Sequence, residues 1–364
     1  MRRLVTLFFA LSCTIGLALA APTHSPAPTP ASSPSPTPMA PSTATIIDKM
    51  GPADLQQAIQ VLKNNYLDPT ALSEPDLNRA MLAGVLSRLG HGVMLLPEKA
   101  PEVSETTNPF FGEVLANHIG YLRLGALTPA NLQALDAYLQ KMDPKKIDAL
   151  VIDLRASPAT NDFATAAEFA KRFCGKGKTL FTLRKAAGKA ERAFVSDRDP
   201  AYRGLMIALI DSDTAGPAEA VAGAVRLNTK TLLIGQPTAG RAVEYADLPL
   251  NGGRFLRVAV SEAALPEERS LFPGGLKPDV PVELASADKR QIFQQSLQSG
   301  MSDFVFENER THMNEAALLA GRNPDLDTIE ASQQRRKAGD KPLRDFVLQR
   351  AVDVVTSLAI YQQR

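Results

Sequence analysis

The groups best able to do chemistry cluster between Gly204 and Leu250. Ser212 lies there between Asp211 and Asp213, with Lys230 beyond it, and a second hydroxyl, Ser157, stands in an earlier loop. Either serine could serve as a nucleophile with Lys230 or a histidine as base. Two features weigh against them: neighbouring carboxylates raise a hydroxyl's pKa, and neither serine opens a helix. The turn that does open one is Thr214-Ala215-Gly216-Pro217-Ala218-Glu219. Strand-to-helix turns commonly carry a nucleophile or an anion site, yet Gly216-Pro217 reads as a plain helix start, glycine at the cap and proline at the first helical position. No metal or cofactor site is expected. His118 and His312 are isolated from any ligand spacing, and Gly252-Gly253 and Gly274-Gly275 are turn glycines without a dinucleotide-binding context.

The elements that must position these residues alternate strand and helix. Ile119 to Leu124 reads as a strand, Pro129 to Met142 as a helix and Ala149 to Leu154 as a second strand, a βαβ unit with a parallel sheet. The loop Arg155 to Asp162 leads to a helix ending at Phe173. Extended segments near Thr179 to Leu183 and Ala193 to Val195 precede the Gly204–Leu250 stretch. Asn251-Gly252-Gly253 signals a hairpin, and Phe255 to Val260 with Val280 to Val282 complete the expected sheet.

Upstream, Leu55, Ile59, Leu62 and Tyr66, then Leu77, Met81, Val85 and Leu89, give two helices read as an antiparallel pair that ends at Gly90-His91-Gly92. His91 is read as a turn residue, and a loop with Pro97, Pro101 and Pro109 follows. Downstream of Ala285 the pattern is helical: an apolar face at Ile292, Phe293 and Leu297, another at Ala316 to Leu319, and Phe346 to Leu348 leading into a last one at Val354 to Ile360.

Composition excludes some functions. A formal charge of +1 with 45% hydrophobic and 22% charged residues describes a globular chain without the field that would recruit nucleic acid. Arg2 and Arg3, the apolar run Leu4 to Leu19 and Ala18-Leu19-Ala20 read as a secretory signal peptide over 1–20, leaving no membrane span after cleavage. Residues 21–44, rich in Pro, Ser and Thr, read as a semi-rigid spacer. Of the two cysteines only Cys174 would remain, an inert core thiol with no disulfide partner. The expected organisation is thus signal peptide 1–20, linker 21–44, helical region 45–109, α/β core 110–284 and helical region 285–364.

The core resembles the C-terminal processing peptidases, or tail-specific proteases, Ser/Lys peptidases with a ClpP/crotonase-like α/β fold. Ile119-Gly120-Tyr121-Leu122-Arg123 is similar to the family's IGYIRI strand, and Val151-Ile152-Asp153-Leu154-Arg155 to its LILDLR strand. Thr238-Ala239-Gly240-Arg241 is similar to its TFGK turn, and Phe272 to Val280 to its closing GI-x-PDV segment.

The resemblance implies where catalysis would sit, and there the residues depart from it. The nucleophile of the family's S-A-S-A-x-E turn falls on Gly216, which has no side chain. The basic lysine falls on Arg241, which stays protonated, and the glutamine that orients it falls on Tyr245. One oxyanion donor falls on Pro217, which has no N–H. The other belongs to a glycine pair that is here Ala159-Thr160, beside Ser157. Losing one such donor alone costs about a hundred- to a thousand-fold in rate. The interval His91 to Asn117 is also too short for the family's PDZ module.

Three readings follow: an exported, catalytically degenerate relative that binds peptide or protein through Arg241, Tyr245 and Ser157; an active peptidase with relocated residues, Ser212 foremost; or a structural envelope protein. Export places it in the periplasm or outside the cell, and sequence assigns no oligomeric state.

Overall fold

A computed structural model describes residues 43–68, 72–97, 108–185, 192–266, 269–305 and 343–362. The expected signal segment, nearly all of the proline-rich segment, His24, His312 and the helix expected at Ala316 to Leu319 lie outside the described residues. The chain divides into two compact units, one ending at Leu77 and one beginning at Asn78.

The first unit holds α1 (Thr43–Asp48), α2 (Pro52–Asn65) and the start of α3 (Glu74–Leu89). Helix α2 starts where the sequence permits it. Pro52 takes the first turn, where its missing N–H costs nothing, and the Asp54 carboxylate accepts the Gly51 N–H at 3.2 Å. Its stripe Leu55, Ile59 and Leu62 stays exposed, and the helix buries no residue.

The second unit is an α/β fold built on two sheets where one was expected. Its strands are β1 (Val93–Leu96), β2 (Phe111–Leu115), β3 (Ile119–Arg123), β4 (Ala149–Asp153), β5 (Thr179–Lys185), β6 (Arg192–Val195), β7 (Leu205–Ile210), β8 (Thr231–Gly235), β9 (Val243–Pro249), β10 (Phe255–Leu265), β11 (Arg269–Ser270) and β12 (Val280–Pro281). One sheet runs β12-β8-β7-β4-β3-β2, parallel except for the antiparallel edge strand β2. The other is antiparallel, β1-β10-β5-β6, with β9 and β11 also paired to β10. Three of these strands were not expected, the two-residue β11 among them. Val93–Leu96 lies in what reads as a loop and pairs with β10, its four apolar residues being too short a run to mark a strand by themselves, and Phe111–Leu115 pairs with β3.

Helices α4 (Pro129–Lys141), α5 (Phe163–Lys171) and α6 (Pro217–Asn228) follow β3, β4 and β7. The central parallel strands read as unbroken apolar runs because both of their faces are covered. Leu122, Leu150, Ile152, Met206, Ala208 and Leu233 face α5, α6 and the second sheet. Their neighbours Tyr121, Val151, Ile207, Leu209 and Ile234 face the C-terminal helices α7 (Ser286–Ser299), α8 (Ser302–Val305) and α9 (Phe346–Gln362). Phe346 to Ile360, expected as a short apolar lead and a separate helix, is one continuous helix, because Val347, Leu348, Ala351, Val352 and Val355 recur on one face and are buried together.

Candidate functional site

The carboxyl ends of β4, β7 and β8 carry three loops, and open parallel sheets bind ligands at that end. Residues 154–162 follow β4, 211–216 follow β7 and 236–242 follow β8. They meet at Gly216.

Gly216 adopts φ 63° and ψ −126°, a conformation that glycine tolerates and other residues rarely take. A Cβ there would stand 3.4 Å from the Thr160 carbonyl oxygen and 3.7 Å from Ala159, in ordinary contact. So the loop after β4 forms one wall beside Gly216, with no side chain from Gly216 between them.

Glu219 joins Gly216 to Arg241. Its Oε2 accepts the backbone N–H groups of Gly216 at 3.0 Å and Arg241 at 2.8 Å, while Oε1 accepts the Gly240 N–H at 2.7 Å and the Thr238 hydroxyl at 2.6 Å. Burial raises the Glu219 carboxyl above its ordinary range, and the four donors offset that only in part. Gly240, at φ 65°, must be glycine, since a Cβ would strike the Pro273 carbonyl at 2.0 Å. Thr238 fixes the same turn to Leu276, whose N–H it accepts at 2.8 Å.

Asn161 ties the first loop to β9: its side chain donates to the Tyr245 carbonyl at 3.0 Å and accepts the Tyr245 N–H at 2.8 Å. The Tyr245 hydroxyl donates to the His91 carbonyl at 2.7 Å, and its ring lies 5.7 Å from the Arg257 guanidinium, itself paired with Asp247. These contacts bring the segments that hold Ala159, Thr160, Gly216, Arg241 and Tyr245 side by side. Ser157 is buried in the same loop, its N–H donating to the Leu154 carbonyl that also accepts the Thr214 hydroxyl. Pro217 opens α6, and the Ala218 and Glu219 N–H groups donate to Ala215 and Gly216 carbonyls, so this helix start has closed its own donors.

Ser212 stands apart, exposed beyond β7. Lys230 precedes β8 at the opposite end of the sheet. Met206 pairs with Thr231 and Ile210 with Gly235, so the strand length, about 13 Å at 3.3 Å per residue, separates the two. His118 likewise precedes β3, at the amino ends of the parallel strands. The neighbours of Ser212 are committed elsewhere: the buried Lys289 ammonium donates to Asp211 at 2.5 Å, Asp213 at 2.7 Å and the Arg155 carbonyl at 3.1 Å.

Sequence reading passed over this brace. Lys289 from α7 and Asp345 before α9 hold the root of the first loop through Arg155, which donates to Asp153 and to Asp345 with all three side chains buried. Glu219 carried a legible signal, a carboxylate at the third helical position, which commonly reaches back to the cap N–H. Lys289 and Asp345 carried none. No cluster of three metal-ligating side chains occurs among the described residues. A cavity of about 340 Å³ lined by Asp136, Leu139, Gln140, Arg172 and Arg198 shares no residue with the cleft.

Residues 118–282 match the model of Peptidase family S41. Over those residues the chain is similar to that family. It is 26% identical over 161 residues to carboxyl-terminal-processing peptidase 1 of Arabidopsis thaliana chloroplasts, covering 44% of this chain and 33% of that one. It is 22% identical over 199 residues to the carboxy-terminal processing protease CtpA of Bacillus subtilis, covering 55% and 42%. The chain thus spans roughly a third to two fifths of the length of these curated relatives. Among solved structures it is similar to a photosystem II D1 C-terminal processing protease, at 22% identity over 48% of each chain with a TM-score of 0.40. No helix among the described residues is long and apolar enough to cross a membrane.

Proposed function

We propose that this chain is an exported S41-type protein that has lost peptidase chemistry and binds peptide or protein through the cleft between Ala159-Thr160, Gly216 and Arg241. The observation that carries the reading is Gly216 itself. At the strand-to-helix turn it keeps a left-handed backbone of the kind an exposed nucleophile needs, but offers no hydroxyl. Arg241, linked to it through Glu219, is a permanent cation and accepts no proton. The carboxylates that flank Ser212 are held by Lys289. With nucleophile, base and oxyanion donor all missing, what the cleft retains is shape and charge. A signal peptide over 1–20 and a spacer over 21–44 would deliver it to the periplasm or beyond, as a PDZ-less relative of the processing peptidases.

The test pairs hydrolysis with binding. The full chain should resist a fluorophosphonate probe and leave an unfolded protein uncut, yet retain peptides, and Arg241→Ala should weaken that retention. Hydrolysis that disappears in Ser212→Ala would instead establish a relocated active site. Peptide retention unchanged in Arg241→Ala would leave the cleft without this role.

A further inference from the structure

We propose that the floor of this cleft is a carboxylate site, in which the Arg241 guanidinium supplies the charge and the hydroxyls of Ser157 and Thr160 supply neutral donors. The proposal rests on the peptide-binding reading above and specifies the group that the cleft recognises.

Five buried side-chain polar atoms among the described residues lack a hydrogen-bond partner: Ser157 Oγ, Thr160 Oγ1, Arg184 Nε, Arg241 Nε and Ser261 Oγ. Three of the five belong to the two segments that flank Gly216, so the deficit is concentrated at one place. Ser157 is 1% exposed. An unmet buried donor costs about 1–3 kcal/mol, and more when it is charged. Each such group in a folded chain calls for an explanation, and a bound ion or ligand is one.

Charge decides the class of ligand. Arg241 forms no ion pair with any described carboxylate, and Glu219, the nearest by connectivity, already has both oxygens taken by four other donors. The neighbouring cation Arg257 is neutralised by Asp247 at 2.7 and 2.8 Å. One uncompensated guanidinium matches a monoanion, and its planar fork matches the two oxygens of a carboxylate. A dianion would be left with unmatched charge close to Glu219. The helix start does not compete for the anion, because Pro217 has no N–H and the N–H groups of Gly216, Ala218 and Glu219 are all used.

The experiment uses the full chain, immobilised, and a pool of N-acetylated octapeptides of random sequence without aspartate or glutamate, made once as free acids and once as C-terminal amides. Retention is read by mass spectrometry. A third pool, amidated but with one internal glutamate, separates a terminal carboxylate from a side-chain one. At least one carboxylate-bearing pool should be retained about tenfold better than a pool without it, the factor that roughly 1.4 kcal/mol represents. That preference should vanish in Arg241→Gln and persist in Arg241→Lys, which keeps the charge, and it should shrink several-fold in the double variant Ser157→Ala, Thr160→Val. Equal retention of carboxylate-bearing and carboxylate-free pools would overturn the carboxylate site while leaving peptide binding in place. Retention of none of them would overturn both, and a preference surviving in Arg241→Gln would remove Arg241 from the site.

Discussion

The guanidinium of Arg155 donates to both carboxylate oxygens of Asp345, at 2.9 and 2.7 Å, across 190 positions of sequence. Both side chains are buried, and Arg155 also pairs with Asp153 at 2.6 Å. The residues just before the last helix are therefore part of the support of the cleft loop that Arg155 begins.

Asp345→Ala should destabilise the core by about 3–5 kcal/mol, because it strands a buried guanidinium that keeps only one of its two carboxylates. Urea denaturation measures this. A change below about 1 kcal/mol would mean that the pair is not what secures the C-terminal segment.

Glu219→Ala removes the acceptor of three backbone N–H groups and one hydroxyl, all at the cleft. A loss of about 2–4 kcal/mol is expected, with faster amide exchange at Gly216, Gly240 and Arg241. Exchange unchanged at those three amides would show that they are held by something else.

Gly216→Ser should restore no hydrolysis. The side chain would meet no clash, with 3.4 Å to its nearest neighbour, but the backbone at φ 63° costs a non-glycine residue about 1–3 kcal/mol. The added hydroxyl would face a protonated Arg241 with no base. Fluorophosphonate labelling of this variant, absent from the parent, would refute the loss of chemistry argued above.

Acid should destabilise the chain below the ordinary aspartate pKa. The hydrogen bond from Arg172 lowers Asp136; burial acts to raise Asp153, but the charge and hydrogen bonds of Arg155 outweigh it and hold it below 3.8. A depressed carboxylate contributes stability that is present above the unfolded pKa and is lost as pH falls through the folded one. Glu219, raised by burial, has the opposite sign: its contribution is present below 4.5 and declines as pH rises through the folded value. Denaturation midpoints between pH 6 and pH 2 should therefore fall most steeply below about pH 4, and Arg172→Gln should flatten part of that fall. A midpoint independent of pH over this range would contradict the assignment.

Cys174 should be silent to thiol reagents in the native state. Burial pushes its thiol up to about 12, and its Sγ donates to the Ala224 carbonyl at 3.6 Å. Labelling at pH 8 should appear only with unfolding; rapid labelling of folded protein would show that helix α5 opens locally.

How much of this was legible beforehand follows from the range over which each signal acts. The apolar runs Ala149–Asp153, Leu205–Ile210 and Thr231–Gly235 mark central parallel strands wherever they occur, since burial on both faces excludes polar side chains. Gly216-Pro217 marks a helix start for equally local reasons. The edge strand Val93–Leu96 was hidden, because four apolar residues are too short a run to mark a strand and its partner Phe255–Val258 lies far along the chain.

The sequence by itself determined that glycine and proline open the helix after Leu205–Ile210 and that an arginine follows Gly240, because those are residue types at a recognisable turn. Only the tertiary structure decided what surrounds them. The Glu219 clamp on Gly216 and Arg241, the Asn161 link to Tyr245 and the Lys289 and Asp345 braces all depend on sheet register and on side chains packed across tens to hundreds of positions. No local periodicity encodes such pairings, since each follows from where the folded strands end.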